Sequence, residues 1–389
     1  MSRLNELIQE LCPDGVEYET IKETVGVNRG KRLTKSQLSD DGKYEVYHGS
    51  KDSILGKYYE YNAPANTVIV INTGGIGGVK FLDKPFWCSD GSFWLGQSSR
   101  INNKYLYYYL SGYENYFYSQ KRVGGVPTIE RRVVEDFKIP IPPLDVQNEI
   151  VRILDTFTSH TAELQAELQA RKEQYDYYKQ FIFKSKISHY KNYLLKNIAS
   201  FSQGIQVNPS CQYNTMQPGR IRFLRIVDFV SDNEPYRYIE RPEDKYIKTE
   251  EELIMIRYGA SAAGKVFMCH TGAIANNMFK INLNPGILPK YVMYYLSQTS
   301  IYTLLNTSGG KSTMPAINFK LVGSINIPIP PLSEQQRIVS ILDKFEALVN
   351  DLTAGLPAEI AAVQEQYEYY RNKLLTFKDV GTYHGASST

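Results

Sequence analysis

Residues 138–157, KIPIPPLDVQNEIVRILDTF, return at 326–345 as NIPIPPLSEQQRIVSILDKF, with 13 of 20 positions identical at an offset of 188 residues. Chance does not produce this. The chain is a tandem duplication, so any fold it adopts has to be built twice. Shorter matches frame the same repeat: KYLYYYLS (104–111) with KYVMYYLS (290–297), GGVPTI (124–129) with GGKSTMPAI (309–317), and EQYDYYK (173–179) with EQYEYYR (365–371). The starts agree loosely, TIKETVGVNRGK (20–31) with LLKNIASFSQGI (194–205), each placing a β-rich segment before a glycine, Gly30 or Gly204. Residues 32–70 and 206–256 align poorly. Each half is a constant frame around a variable globular insert.

The I-P-I-P-P runs cannot be helical, because proline lacks an N–H and disfavours helical backbone in the residue before it. They read as extended edge strands that deliver the chain to a helix start. Ser333 is expected as the N-cap with Gln336 as its capping-box partner, and Asp145 takes that place in the first copy. The first helix then carries Ile150, Leu154, Phe157, Thr161, Leu164, Leu168, Arg171, Tyr175, Tyr178 and Ile182 in alternating steps of four and three, the rhythm of a coiled coil. A helix over 144–185 spans about 60 Å at ~1.5 Å per residue. The second carries Ile338, Leu342, Phe345, Val349, Leu352, Leu356, Ile360, Val363, Tyr367, Tyr370, Leu374 and Phe377. Its two successive steps of four at Leu352–Leu356–Ile360 make a stutter beside Gly355 and Pro357, where a kink or short break is expected. The simplest partner for each helix is the other, laid antiparallel.

The expected fold is therefore α/β: two globular α/β domains from a tandem duplication, 1–143 and 186–331, separated by two long antiparallel coiled-coil helices, 144–185 and 332–378, with a tail at 379–389. No run of apolar residues is long enough for a membrane helix, and the N-terminus lacks a signal peptide's apolar centre. Four scattered cysteines without a C-x-x-C pair suggest reduced thiols in a cytoplasmic protein, with neither a disulfide frame nor a metal site.

Imitations of catalytic motifs do not survive inspection. The glycines of TVIVINTGGIGGVKFL (67–82) should open a helix if they held a dinucleotide or S-adenosylmethionine, but a second β-run follows, so a glycine hairpin is expected. Gly264-Lys265 lacks a P-loop frame, and NEPY (233–236) has glutamate where an amino-methyltransferase signature needs proline. The chain reads as non-catalytic.

What remains are basic, glycine-containing loops, and the segment 186–330 carries 16 Lys+Arg against 9 Asp+Glu. Such loops meet phosphates through Lys and Arg, while Arg, Asn and Gln reach base edges. The candidates for DNA contact are Asn28, Arg29, Lys31, Arg32, Lys35, Asn72, Thr73, Lys80, Lys121, Arg122 and Thr128 in the first half. In the second half they are Gln203, Gln206, Arg220, Arg222, Arg225, Arg257, Ser261, Lys265, Lys311, Ser312 and Thr313. Helix and subunit contact is expected from Ile150, Leu154, Phe157, Leu164, Leu168, Tyr175, Tyr178, Ile338, Leu342, Phe345, Val349, Leu352, Tyr367, Tyr370 and Leu374.

The duplicated IPIPPL…Q…IV.ILD.F followed by EQY.YY[KR], with GG…I upstream, resembles the specificity subunit of Type I restriction-modification systems from Leu4 to about Phe377. The resemblance implies that each variable insert is a target recognition domain reading half of a bipartite, asymmetric duplex DNA site. It implies that the constant helices set the spacer and dock two modification (methyltransferase) subunits, through which two restriction (motor-nuclease) subunits join. No cofactor is then expected on this chain; S-adenosylmethionine, ATP and Mg would sit on the partners. Half-sites one helical turn apart lie about 34–36 Å from each other, within reach of such a helix. The alternatives are a coiled-coil scaffold that binds only proteins and a self-contained DNA adenine methyltransferase.

Overall fold

The computed structural model describes residues 2–122, 124–231, 234–259, 262–307, 317–350 and 355–380. The chain forms two compact units, Met1–Gln165 with Ile360–Thr389, and Ala166–Glu359.

Each I-P-I-P-P run is an edge strand. Lys138–Pro140 pairs antiparallel with Tyr18–Thr20, and Asn326–Pro328 pairs with Asn192–Leu194. An edge position tolerates prolines because one side of the strand needs no donor. The helices that follow, Leu144–Phe181 and Leu332–Asn350, begin earlier than the capping pattern suggests. The carbonyls of Pro143 and Pro331 accept from Val146 N at 3.0 Å and Glu334 N at 2.9 Å. Asp145 and Ser333 therefore fall inside the first turn instead of capping it. The extended strand turns directly into the helix, so a proline carbonyl is already placed where a capping side chain would act.

What locks this joint is the glutamine common to both motifs. Gln147 is fully buried; its Oε1 accepts from Asn102 N (2.7 Å), and its Nε2 donates to Arg100 O (3.0 Å) and Pro142 O (2.7 Å). Gln335 does the same with Leu288 N (2.9 Å), Gly286 O (3.2 Å) and Pro330 O (2.9 Å). The aromatic helices Asn103–Ser111 and Pro289–Leu296 add a second fastening. Buried Tyr105 and Tyr291 donate to Pro140 O and Pro328 O, while Tyr108 and Tyr294 each donate to a carboxylate, Asp155 or Asp343, at 2.5 Å. Lys104 and Lys290 pair with those same carboxylates at 2.7 and 2.8 Å. Burial, reinforced by the carboxylate neighbours, raises both phenols far above their usual range, which keeps them donors.

In the first unit the opening of Leu144–Phe181 packs on the last helix, Leu356–Leu374: Ile150, Leu154 and Leu374 share a core, and Phe157 stacks on Tyr370. In the second unit the end of the long helix meets Leu332–Asn350, with Tyr175, Ile338 and Leu342 in one core and Tyr178 against Phe345. Leu164 and Val349 are buried and Leu168 is half-buried. Where the stutter falls, one helix ends at Asn350 and the next begins at Leu356, with Gly355 O accepting from Ala358 N at 3.0 Å. Pro357 then lies in a first turn, where no amide partner is needed. Leu352 lies outside the described residues. The long helix ends at Phe181 and runs into a wider π turn, Ile182–Lys186.

The globular part of each unit holds a four-stranded antiparallel sheet covered by the aromatic helix. In the first unit the order is Val27–Arg29, Ser92–Leu95, Thr67–Ile71, Val79–Leu82; in the second it is Ala199–Gln203, Met278–Leu283, Leu253–Ile256, Val266–Met268. Central strands Thr67–Ile71 and Leu253–Ile256 are buried throughout. The glycine-rich stretch is a hairpin, pairing Val70 with Val79 and turning through Gly74 and Gly77 at φ +80° and +82°. A second, smaller sheet differs between the units: three strands (Gly56–Tyr58, Tyr44–Tyr47, Trp87–Cys88) in the first and four (Arg237–Glu240, Arg220–Leu224, Gly272–Ile274, Ile247–Lys248) in the second. The duplicated sheet is the frame, and the small sheet is where the repeats diverge.

Candidate nucleic-acid interface

Gly30 and Gly204 end equivalent strands, and each passes against a carbonyl so closely that a Cβ would lie 2.0 Å from Ser89 O or 2.2 Å from Ala275 O. This forced approach brings the loop after the first strand against the end of the central sheet. In the first unit Gly30 N donates to Ser92 O (3.2 Å) and Lys31 N to Cys88 O (2.9 Å). Leaving the central strand, Asn72 N donates to Gly91 O (3.0 Å), and Ile129 N donates back to Asn72 O (3.0 Å). Thr73 Oγ1 reaches Pro127 O at 3.4 Å, and Arg122 N donates to Thr128 O at 2.9 Å. Three loops separated by tens of residues thus converge on one edge of the sheet. The first strand ends with Asn28 and Arg29, the loop after it carries Lys31, Arg32 and Lys35, and the other two loops carry Asn72 and Thr73, then Lys121, Arg122 and Thr128.

At this edge Arg29, Lys31, Arg32, Lys35 and Arg122 are exposed, Asn28 is half-buried and Asn72 is buried. Arg122 is paired with Glu130, and the Lys121 ammonium sits 3.6 Å over the Tyr118 ring. Lys80 stands apart, donating to Lys51 O at 2.6 Å and lying over the Tyr47 ring. His48, Ser89 and Asp90 join the edge unheralded by any local pattern: His48 Nδ1 lies 3.2 Å from Ser89 Oγ and 3.3 Å from Asp90 Oδ1. Burial pushes the neighbouring Cys88 thiol up to about 12, which rules it out as a nucleophile near neutral pH.

The second unit builds the same edge. Gly204 N donates to Met278 O (3.1 Å), Arg257 N to Asn277 O (2.8 Å), and Ile317 N to Arg257 O (3.0 Å). Gln203 Nε2 donates to Asn276 O at 3.3 Å, and Gln206 and Lys265 are exposed nearby in sequence. Ser261, Lys311, Ser312 and Thr313 lie outside the described residues. By its backbone bonds Arg257 is the counterpart of Asn72. Both sites also hold buried polar atoms without a hydrogen-bond partner: Asn72 Oδ1 and Ser92 Oγ in the first, Arg257 Nε and Asn277 Oδ1 in the second.

The remaining arginines sit on the small sheet of the second unit and are already engaged. Arg220 lies 3.5 Å over the Tyr213 ring and pairs with Glu240 at 3.1 Å. Arg222 lies 3.7 Å over Tyr236 and approaches Asp228, while Arg225 bonds Asp228 and Glu234 at 3.3 and 3.0 Å. Among the described residues no group of three His, Cys, Asp or Glu could hold a metal ion, and no helix is long and apolar enough to cross a membrane. The chemistry that both edges offer is contact: cations for a polyanion's backbone, and amide or guanidinium groups for planar hydrogen-bonding edges.

The family model described as Type I restriction modification DNA specificity domain matches this chain twice, over residues 13–174 and 187–362. The chain is 30% identical to the EcoR124I/EcoR124II specificity subunit of Escherichia coli, covering 97% of each protein. It is 28% identical to a putative type I specificity subunit, S.HindORF215P, of Haemophilus influenzae, over 93% of this chain and 96% of that one. Among solved structures, its fold is similar to the Type I restriction-modification S subunit of M. genitalium, with a TM-score of 0.57 at 16% identity over 93% of this chain and 97% of that one. It is also similar to a chain from a type I system solved to show complex assembly and conformational transition, with a TM-score of 0.61 at 17% identity over 94% and 98%.

Proposed function

The chain belongs to the Type I restriction-modification DNA specificity family, as a specificity subunit with two target recognition domains, the non-catalytic member of its complex; from this we propose that each recognition domain reads one half of a bipartite, asymmetric duplex DNA site. Residues 1–143 and 186–331 act as the two recognition domains. The helices 144–185 and 332–378 set the distance between half-sites and dock the partners: two modification subunits, and through them two restriction subunits. S-adenosylmethionine, ATP and Mg belong to those partners.

The observation that carries this reading is the doubled loop edge. Two sheets of the same topology each hold the end of the first strand, the residue after the central strand and a distant isoleucine through the same three backbone bonds, with different side chains at equivalent points. Equal frames suit one kind of partner bound twice, and unequal edges suit two different half-sites. Arg29, Lys31, Arg32, Lys35 and Lys265 are exposed, which leaves their charges free to meet phosphates, contacts that fix register without reading sequence.

The test is exchange. Replacing residues 1–143 with those of a relative of different specificity, and sequencing the methylated sites made by the modification complex, should change one half-site and leave the other intact. A change in both halves, or the loss of any bipartite motif in a complex that still assembles, would overturn the reading.

A further inference from the structure

We propose that Asn72 and Arg257, which occupy the same backbone position in the two repeats with polar atoms buried and unpaired, are equivalent specificity-determining residues that each read one base of their own half-site. This rests on the DNA-reading role proposed above and deepens it.

A buried polar atom without a partner is destabilising, and folded proteins keep few of them. Seven such side-chain atoms occur among the described residues: those of Asn103, Arg222 and Arg371 lie elsewhere, and the other four are Asn72 Oδ1, Ser92 Oγ, Arg257 Nε and Asn277 Oδ1. Those four gather at the same end of the two sheets: Asn72 and Arg257 directly follow the central strands Thr67–Ile71 and Leu253–Ile256, while Ser92 opens the neighbouring strand of the first sheet and Asn277 immediately precedes that of the second.

The backbone at each place is held from both sides. The Asn72 amide is taken by Gly91 O and its carbonyl by Ile129 N; the Arg257 amide is taken by Asn277 O and its carbonyl by Ile317 N. The main chain is therefore fixed and only the side chain varies, which is the arrangement a recognition position requires. The two residue types are also the ones suited to different purines. Asparagine bonds adenine in a two-point contact at N6 and N7, and arginine bonds guanine at O6 and N7.

In the first unit residues 124–128 run beside Asn72, held by Ile129 N on Asn72 O and by the bridge between Thr73 and Thr128. That loop is tied to Thr73 by a long 3.4 Å hydrogen bond and turns on Gly124 and Gly125, whose added Cβ atoms would meet nothing within 4 Å. With no side chains at these two glycines, a base edge can come close to the backbone, and exposed Arg29, Lys31 and Arg32 lie at the end of the first strand, at the same end of the sheet.

The experiment is a binding selection. The modification complex formed by this chain and its methyltransferase subunits selects from a pool of fully randomised DNA duplexes, which are then sequenced. The wild type is compared with Asn72→Ala, Arg257→Ala and Arg257→Lys; the last keeps the charge but loses the planar fork, and so retains the fold if the truncations do not. The Asn72 variant should lose preference at one base position of one half-site by roughly 10- to 100-fold, and the Arg257 variants should do so at one position of the other half-site. Every other position should be unchanged. An unaltered motif, or a uniform fall in binding to all sequences by a complex that assembles, would overturn the assignment. A wild-type complex that selects no bipartite motif would instead overturn the DNA-reading role itself, so the two failures are distinguishable.

Discussion

Phe157 stacks on Tyr370 in the first unit with ring centroids 5.5 Å apart and planes 26° apart, and in the second unit Phe345 meets Tyr178 at 5.5 Å and 30°. Phe157 and Phe345 are one repeat position, and Tyr178 and Tyr370 are another. Each contact thus joins the phenylalanine of one copy to the tyrosine of the other, so neither compact unit is made from a single repeat.

The first prediction concerns that crossing. In double-mutant cycles, Phe157→Ala with Tyr370→Ala should show a coupling of about 0.5–1.5 kcal/mol, as should Phe345→Ala with Tyr178→Ala. The pair Phe157 and Tyr178, on one helix and far apart along it, should couple by nearly zero. Urea unfolding followed by circular dichroism measures all three; equal coupling in the third would refute the pairing.

Gln147 is the second. Its replacement by alanine leaves Asn102 N, Arg100 O and Pro142 O without their partner, the last in a buried bond and the first two in partly buried ones. At about 1–3 kcal/mol for each group left buried and unpaired, a loss of roughly 3 kcal/mol or more is expected. Both tryptophans, Trp87 and Trp94, belong to the first unit. Gln147→Ala should therefore lower the urea midpoint read by tryptophan fluorescence more than Gln335→Ala does.

Asp228 supplies the third. Its side chain is 1% exposed, it accepts from Arg225 N at 2.7 Å, and it faces both Arg222 and Arg225. Asp228→Ala strips Arg222 of its counter-charge and leaves Arg225 paired only with Glu234, and should cost about 3 kcal/mol. Asp228→Asn keeps an acceptor and should cost less. Thermal unfolding ranks the two; a fully stable alanine variant would show the cluster to be dispensable.

The thiols give the fourth. Burial pushes Cys88 and Cys269 up to about 12 and raises Cys12, whereas Cys211 is exposed. Alkylation of the folded protein at pH 8 should stop near one label per chain, on Cys211, and reach all four cysteines only in denaturant. Rapid labelling of Cys88 in the folded state would contradict the burial of the first unit's small sheet.

Local order in the chain determined the repeat, the edge strands, the heptad helices, the break beside Gly355 and the glycine hairpin, because each is set by residues within a few positions of one another. The I-P-I-P-P run excludes helix by backbone chemistry alone, and a step of four then three forces one face of a helix inward. The cap at Ser333 was legible and yet not used, since the strand preceding it delivers the Pro331 carbonyl to the same amides. Only the tertiary structure decided which of the candidate residues come together. Gly30 lets the end of the strand carrying Asn28 meet the backbone at Cys88–Ser89, and Asn72 bonds Gly91 and Ile129 at the same end of the sheet, while Arg220, Arg222 and Arg225 are drawn onto tyrosine rings and carboxylates. The equivalence of Asn72 and Arg257 is likewise written in no alignable motif. It arises from hydrogen bonds between strands far apart in the chain, a relation that local residue order does not encode.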